Sequence, residues 1–244
     1  MKPSEPIFNV PPVVVAVIAA LALVHAGRVF LLAPEEDLEF LLQFAFIPAR
    51  YEASLVAGAA FPGGLAAEMW TFFTYALIHG DAVHLALNSI WLLPFGTVVA
   101  RRLGPVRFLV FFAATAATGA AAHLATNFGA VFPMVGASGA ISGFMAAASR
   151  FAFQRGGPLD WRRAHADRQP AAPLLVALRN PRVIAFVAVW FGLNLLFGLG
   201  AAAIPGGEQS VAWQAHIGGF LGGLLLFPAF DPVSARLPPG TAAS

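Results

Sequence analysis

Long apolar runs separated by polar stretches set the pattern of this chain. They fall at roughly 11–32, 82–100, 104–126, 136–153, 182–200 and 211–230. Each has about the 17–25 residues that a helix needs to cross the hydrocarbon core of a bilayer. None alternates with the period of two that a transmembrane strand requires, so a β-barrel is not expected. The pattern predicts an all-α, polytopic membrane protein, a bundle of six transmembrane helices forming one domain over 1–244. The stretch from about 33 to 81 is too long for a turn. Within it, Leu38 to Phe46 is apolar yet too short to span, and reads as an interfacial element at the outer surface.

Composition agrees. Only 11% of the 244 residues are charged, against about 25% in a soluble domain. There is no cysteine, which excludes disulfides, thiolate metal sites and cysteine nucleophiles. The net charge is only +2, so the basic residues are read as setting orientation in a membrane and not as binding nucleic acid. Arg101, Arg102 and Arg107 fall between the second and third spans, and Arg150, Arg155, Arg162, Arg163, Arg168, Arg179 and Arg182 around the fourth-to-fifth connection. Lys2 precedes the first span and Arg236 follows the last. The alternate loops carry acids instead: Glu35, Glu36, Asp37, Glu39, Glu52 and Glu68 in the first, Glu208 in the fifth, and no charge in 127–135. The positive-inside rule then puts both termini in the cytoplasm.

The first run also has the outline of a signal-peptide core, Val13 to Val24, followed by Val24-His25-Ala26. The leading segment, however, holds Pro3, Glu5, Pro11 and Pro12 with one basic residue, and the run resumes with Val29 to Leu32. The helix is expected to be retained. The inner connection 154–180 contains Gly156-Gly157-Pro158 and Pro170, and reads as a flexible link without a site.

The chemistry lies in the few polar side chains inside the spans. An ionisable group in a hydrophobic segment is costly, and so marks function by default. His216 sits about five residues into the last run, and Ser138 opens the fourth, directly after Gly136-Ala137. Unpaired N–H groups at such a helix start stabilise negative charge beside the serine hydroxyl. Taken alone, Ser138 reads as an ordinary helix-opening serine. Ser142, one turn on, reads as a hydroxyl bonded back to its own helix.

Gly219 and Gly223 share the helix face of His216, and Gly139, Gly143 and Ala147 form a similar stripe after Ser138. Small-residue stripes let membrane helices approach closely. If these two meet, serine and histidine come within reach of each other. Gly218 lies about 100° around the helix from Gly219, and Gly218→Ala is expected to be milder than Gly219→Leu. His84 and Asn88 lie one turn apart at the start of the second span, at similar depth by the charge argument.

Other chemistries drop out. No His-Glu-x-x-His run exists, Asp81 stands alone near a span, and His79, His84 and His216 lack a carboxylate or thiolate to complete a zinc site. No metal and no cofactor are expected.

Gly136-Ala137-Ser138-Gly139, His216 with Gly219 and Gly223, and the stretch from Leu77 through His84 to Asn88 together resemble the rhomboid family of intramembrane serine proteases. The likeness runs from about Trp70 to Leu226 in the right order. It implies that Ser138 is the nucleophile and His216 its general base, a dyad without an acid. It implies an oxyanion hole from His84, Asn88 and the Ser138 N–H. The implied substrates are single-pass membrane proteins, cut in or beside their transmembrane segments, in contact with lipid and without nucleic acid. The implied setting is a bacterial inner membrane, with the site open to the outer side.

Two positions depart from the family pattern. The aromatic residue often found four after the serine, on which the histidine stacks, is Ser142 here, which leaves open what orients His216. Trp70-Thr71 stands where many members have Trp-Arg. The alternatives are a non-cutting member that binds membrane clients, and a transporter using His84 and His216 as proton carriers. The presence of both Ser138 and His216 argues against the first. The lack of an inverted hydropathy repeat argues against the second.

Overall fold

Proline opens four of the helices. Pro12, Pro34, Pro105 and Pro181 each occupy a first helical position, where the missing N–H has no intrahelical acceptor to lose. The computed structural model describes residues 9–52, 61–154, 170–199 and 211–233. Its helices are α1 (Pro12–Leu31), α2 (Pro34–Phe44), α3 (Gly64–Thr74), α4 (Ala82–Leu103), α5 (Pro105–Thr126), α6 (Ser138–Ser149), α7 (Pro181–Gly198) and α8 (Trp213–Phe230), with a single turn at Leu174–Ala177 before α7. Among the described residues, β pairing is confined to one isolated antiparallel bridge between Phe46 and Met134. Lys2, Arg155, Arg162, Arg163, Arg168, Glu208 and Arg236, used above to orient the chain, lie outside the described residues, as does most of the inner link.

Among the described residues, α1, α4, α5 and α7 are long and apolar enough to cross a membrane. With α6 and α8 they make the all-α bundle that the apolar runs predict. The helix expected over 136–153 is shorter than that: α6 has 12 residues, about 18 Å at 1.5 Å per residue. That is well under the ~30 Å of a hydrocarbon core. Gly136, at φ 118°, ends the approach to the helix in a conformation that only glycine adopts readily. At the other end the chain turns at Arg150 and continues with Phe151 buried. Every residue from Gly139 to Ser149 is buried, and α6 packs against α4, α5 and α8. Its run of Gly, Ala and Ser is what lets three helices close around it.

The glycines of α8 form two rows. Gly219 and Gly223 face Gly139 and Gly143 of α6. A Cβ on Gly219 would lie 2.7 Å from the Gly139 carbonyl carbon, and one on Gly223 would lie 2.6 Å from Gly143 Cα. Gly218 and Gly222 face α5, the first against the Thr118 carbonyl and Ala122, the second against the Thr118 side chain. A Cβ on Gly218 would lie 2.6 Å from the Thr118 carbonyl oxygen, closer than real Cβ contacts come. α8 thus sits in the angle between α5 and α6, with Gly219 and Gly223 on the backbone of α6 and Gly218 and Gly222 on Thr118 of α5.

Two arginines tie the ends of the bundle. Arg102 of α4 donates two hydrogen bonds of 2.8 Å to the Asp231 carboxylate just beyond α8, with its guanidinium 4.4 Å from the Phe151 ring centre. Arg28, buried near the end of α1, donates to Asp37 of α2 at 2.7 and 2.8 Å and to the His79 carbonyl at 2.9 Å. This fixes the chain just before α4.

Candidate active site

Ser138 is the first residue of α6, so its N–H belongs to the first turn, whose N–H groups have no partner within the helix. The preceding loop is held on both sides. Phe46 and Met134 exchange backbone hydrogen bonds of 3.1 and 2.8 Å, and Gly136 N–H donates to the Tyr75 carbonyl at 3.0 Å. Tyr75, itself buried, donates its hydroxyl proton to the Ala116 carbonyl at 2.8 Å. Gly119 and Gly139 leave the room it occupies: Cβ atoms there would lie 3.1 and 2.9 Å from the Tyr75 oxygen.

His216 lies in the first turn and a bit of α8. The close contact of the two glycine stripes carries its ring to the serine, and Ser138 Oγ and His216 Nε2 share a hydrogen bond of 2.7 Å. A neutral imidazole that accepts this bond is placed to take the hydroxyl proton.

His84 approaches from the other side. Asp81 caps α4 and accepts from the His84 backbone N–H at 2.8 Å, which starts the helix at the turn that carries the imidazole. The ring lies against Gly136. A Cβ there would come 2.6 Å from His84 Nε2 and 3.7 Å from Ser138 Oγ, so the imidazole edge and the hydroxyl face one point. His79 packs edge-on against His84, with ring centres 5.1 Å apart. Burial, and then the nearby His84 and His25, push the His79 imidazole down to about 3, so it stays neutral at physiological pH. Asn88, one turn further in, donates from Nδ2 to the His84 carbonyl at 2.9 Å. Ser138, His216 and His84 thus converge, and Asn88 adjoins them with one amide proton still to give.

Ser142 donates to the Ser138 carbonyl at 2.7 Å, the back-bond of a helical serine. The group that meets the far side of His216 is Asn194 of α7. Its Oδ1 contacts His216 Nδ1, and its Nδ2 donates to the Trp190 carbonyl at 2.7 Å. The reading of the sequence passed over Asn194. The signal was there: apart from Arg182 at its start, it is the one strongly polar side chain in α7. Among the described residues, no three of His, Cys, Asp and Glu are grouped to hold a metal ion.

Residues 66–230 match the family model described as the rhomboid domain, and the chain belongs to the rhomboid family of integral membrane proteins. The chain is similar to the rhomboid protease GluP of Bacillus subtilis (strain 168), with 30% identity over 177 residues. That alignment covers 70% of this chain and 28% of the relative, so the chain spans just over a quarter of that protein's length.

Proposed function

We propose that the protein is an intramembrane serine endopeptidase that cuts peptide bonds in or beside the transmembrane segments of single-pass membrane proteins. The observation that carries this is the 2.7 Å hydrogen bond between Ser138 Oγ and His216 Nε2 at a helix start. Ser138 attacks the scissile carbonyl while His216 Nε2 takes its proton. The oxyanion is met by the Ser138 N–H, by His84 and by Asn88. His216 then passes the proton to the leaving amine, and a water, activated by the same nitrogen, releases the acyl group from Ser138. At 12 residues α6 is too short to reach both faces of a bilayer, so in this reading Ser138 sits below the outer membrane surface, and the hydrolytic water reaches it from outside. The match to the rhomboid domain and the likeness to a rhomboid protease support this reading.

The test is a fluorophosphonate probe on the purified protein in detergent, with peptide mapping of the adduct. Labelling at Ser138, abolished by His216→Ala, is the expected result, because only an activated serine reacts. Absence of labelling, with the fold intact, would point to a non-cutting member that binds clients.

The oxyanion donors act on developing charge, so His84→Ala and Asn88→Ala are expected to lower kcat by about 10²-fold or more each with little change in KM. A change confined to KM would assign them to substrate contact instead.

We place both termini on the cytoplasmic side of a bacterial inner membrane, with the site open to the outer side. Reporter fusions after residue 233 and within 154–180 should behave as cytoplasmic, and insertions near 33–69 as external. An external C-terminus would break the shared depth of the serine and the two histidines.

A further inference from the structure

We infer that Asn194 is a positioning residue that selects the proton state of His216, an inference that rests on the reading of Ser138 and His216 as nucleophile and base. Asn194 is buried at 7% exposure in a helix that is otherwise apolar. A buried amide is costly unless its polar atoms are bonded. Both of its ends have partners, and the partners dictate which end is which. The Trp190 carbonyl can only accept, so the amide nitrogen must face it, at 2.7 Å. The amide oxygen is then the atom that faces His216 Nδ1, and an amide oxygen can only accept.

His216 must therefore carry its proton on Nδ1. Its Nε2 is left with a free lone pair, and Nε2 is the atom 2.7 Å from Ser138 Oγ. The hydroxyl has to be the donor, which is the arrangement from which proton transfer to the imidazole starts. When Nε2 takes the proton, Asn194 Oδ1 still accepts from Nδ1 and its dipole favours the imidazolium. The ring is held in plane and in tautomer by an amide on α7, in place of an aromatic face at position 142. The amide is itself set by Trp190, whose ring stacks on Phe220 of α8 at 4.6 Å and 25°. The support thus crosses the contact between the two helices twice.

The experiment compares Asn194→Ala and Asn194→Asp with the unsubstituted full chain in liposomes. It measures the rate of fluorophosphonate labelling at Ser138, together with kcat and KM on a membrane-anchored reporter. Asn194→Ala should slow labelling and lower kcat by about 10–100-fold, the size seen for partners that orient metal-bound histidines, with KM within about twofold. Asn194→Asp keeps an acceptor at the same point, and its protonated form can still donate to Trp190. It should recover at least tenfold of the loss. Unchanged labelling and kcat in a folded Asn194→Ala protein would overturn the inference, as would Asn194→Asp no better than Asn194→Ala.

If Asn194→Ala does not fold, the unsubstituted protein decides. The ¹⁵N spectrum of its histidines should place the His216 proton on Nδ1, and a proton on Nε2 would overturn the inference. Failure to label Ser138 in the unsubstituted protein is a different result. It removes the protease reading while leaving the tautomer measurement to stand.

Discussion

Ser138→Ala and His216→Ala should each reduce cleavage of a membrane-anchored reporter to background, a loss of about 10⁴-fold or more in kcat. In the proposed mechanism the two side chains work as one unit through the 2.7 Å bond between them. Without the imidazole the hydroxyl keeps its proton, and without the hydroxyl the imidazole has nothing to deprotonate. Effects of residues coupled in this way are grossly non-additive, so the double variant should be no worse than either single one. Neither change should disturb the fold greatly, because both remove polar atoms whose partners include each other. Ser142→Ala is the control. Its hydroxyl only repeats a hydrogen bond to the Ser138 carbonyl, and activity should stay measurable. The assay is turnover of the reporter in proteoliposomes; an active Ser138→Ala beside a dead Ser142→Ala would assign the wrong nucleophile.

Gly219→Leu should eliminate activity although glycine touches no reacting atom. The first added carbon already meets the Gly139 carbonyl carbon at 2.7 Å, and the rest of the side chain has nowhere to go but between the helices. Gly139 adjoins Ser138 and Gly219 lies one turn after His216, so any parting of α6 and α8 parts the serine from the histidine. A displacement of about 1 Å can cost on the order of 10²-fold in rate. Gly218→Ala should also be severely impaired, because its Cβ would press on the Thr118 carbonyl of α5. Labelling at Ser138 in variants that remain folded measures both effects. Full labelling of Gly219→Leu would mean that the glycine contact does not hold the pair together.

Much of this was legible in one dimension. The positions of α1, α4, α5 and α7 follow from hydropathy, because a lipid solvent leaves a spanning segment few choices but a helix. Ser138, His84 and His216 stand out because reactive groups in such segments are rare. What could not be read is what depends on neighbours. The length of α6 was overestimated because an apolar stretch rich in alanine and glycine does not mark where the backbone unwinds. The second glycine face of α8 is not legible in the sequence, because nothing there says that α5 packs on Gly218 and Gly222. Asn194 was overlooked because an amide has no reactivity of its own; only its contact with His216 Nδ1 gives it a role. Arg28, inside the first apolar run, carries no motif, and its bonds to Asp37 and the His79 carbonyl join segments far apart in the chain.

That arginine bears on what counts as the working unit. The segment matching the family starts at residue 66, after α1, α2 and the Phe46 bridge. Yet Val14, Val17 and Leu21 of α1 are buried in the common core, the backbone before α4 hangs on Arg28, and the strand-like pairing of Phe46 with Met134 steadies the loop that leads to Ser138. A gene trimmed to the recognisable portion would encode all four of Ser138, His216, His84 and Asn88 and lack the braces on two of the loops that aim them. We expect the working unit to be larger than the segment that matches the family, with α1 and α2 holding the proposed site in place as scaffolding holds an arch.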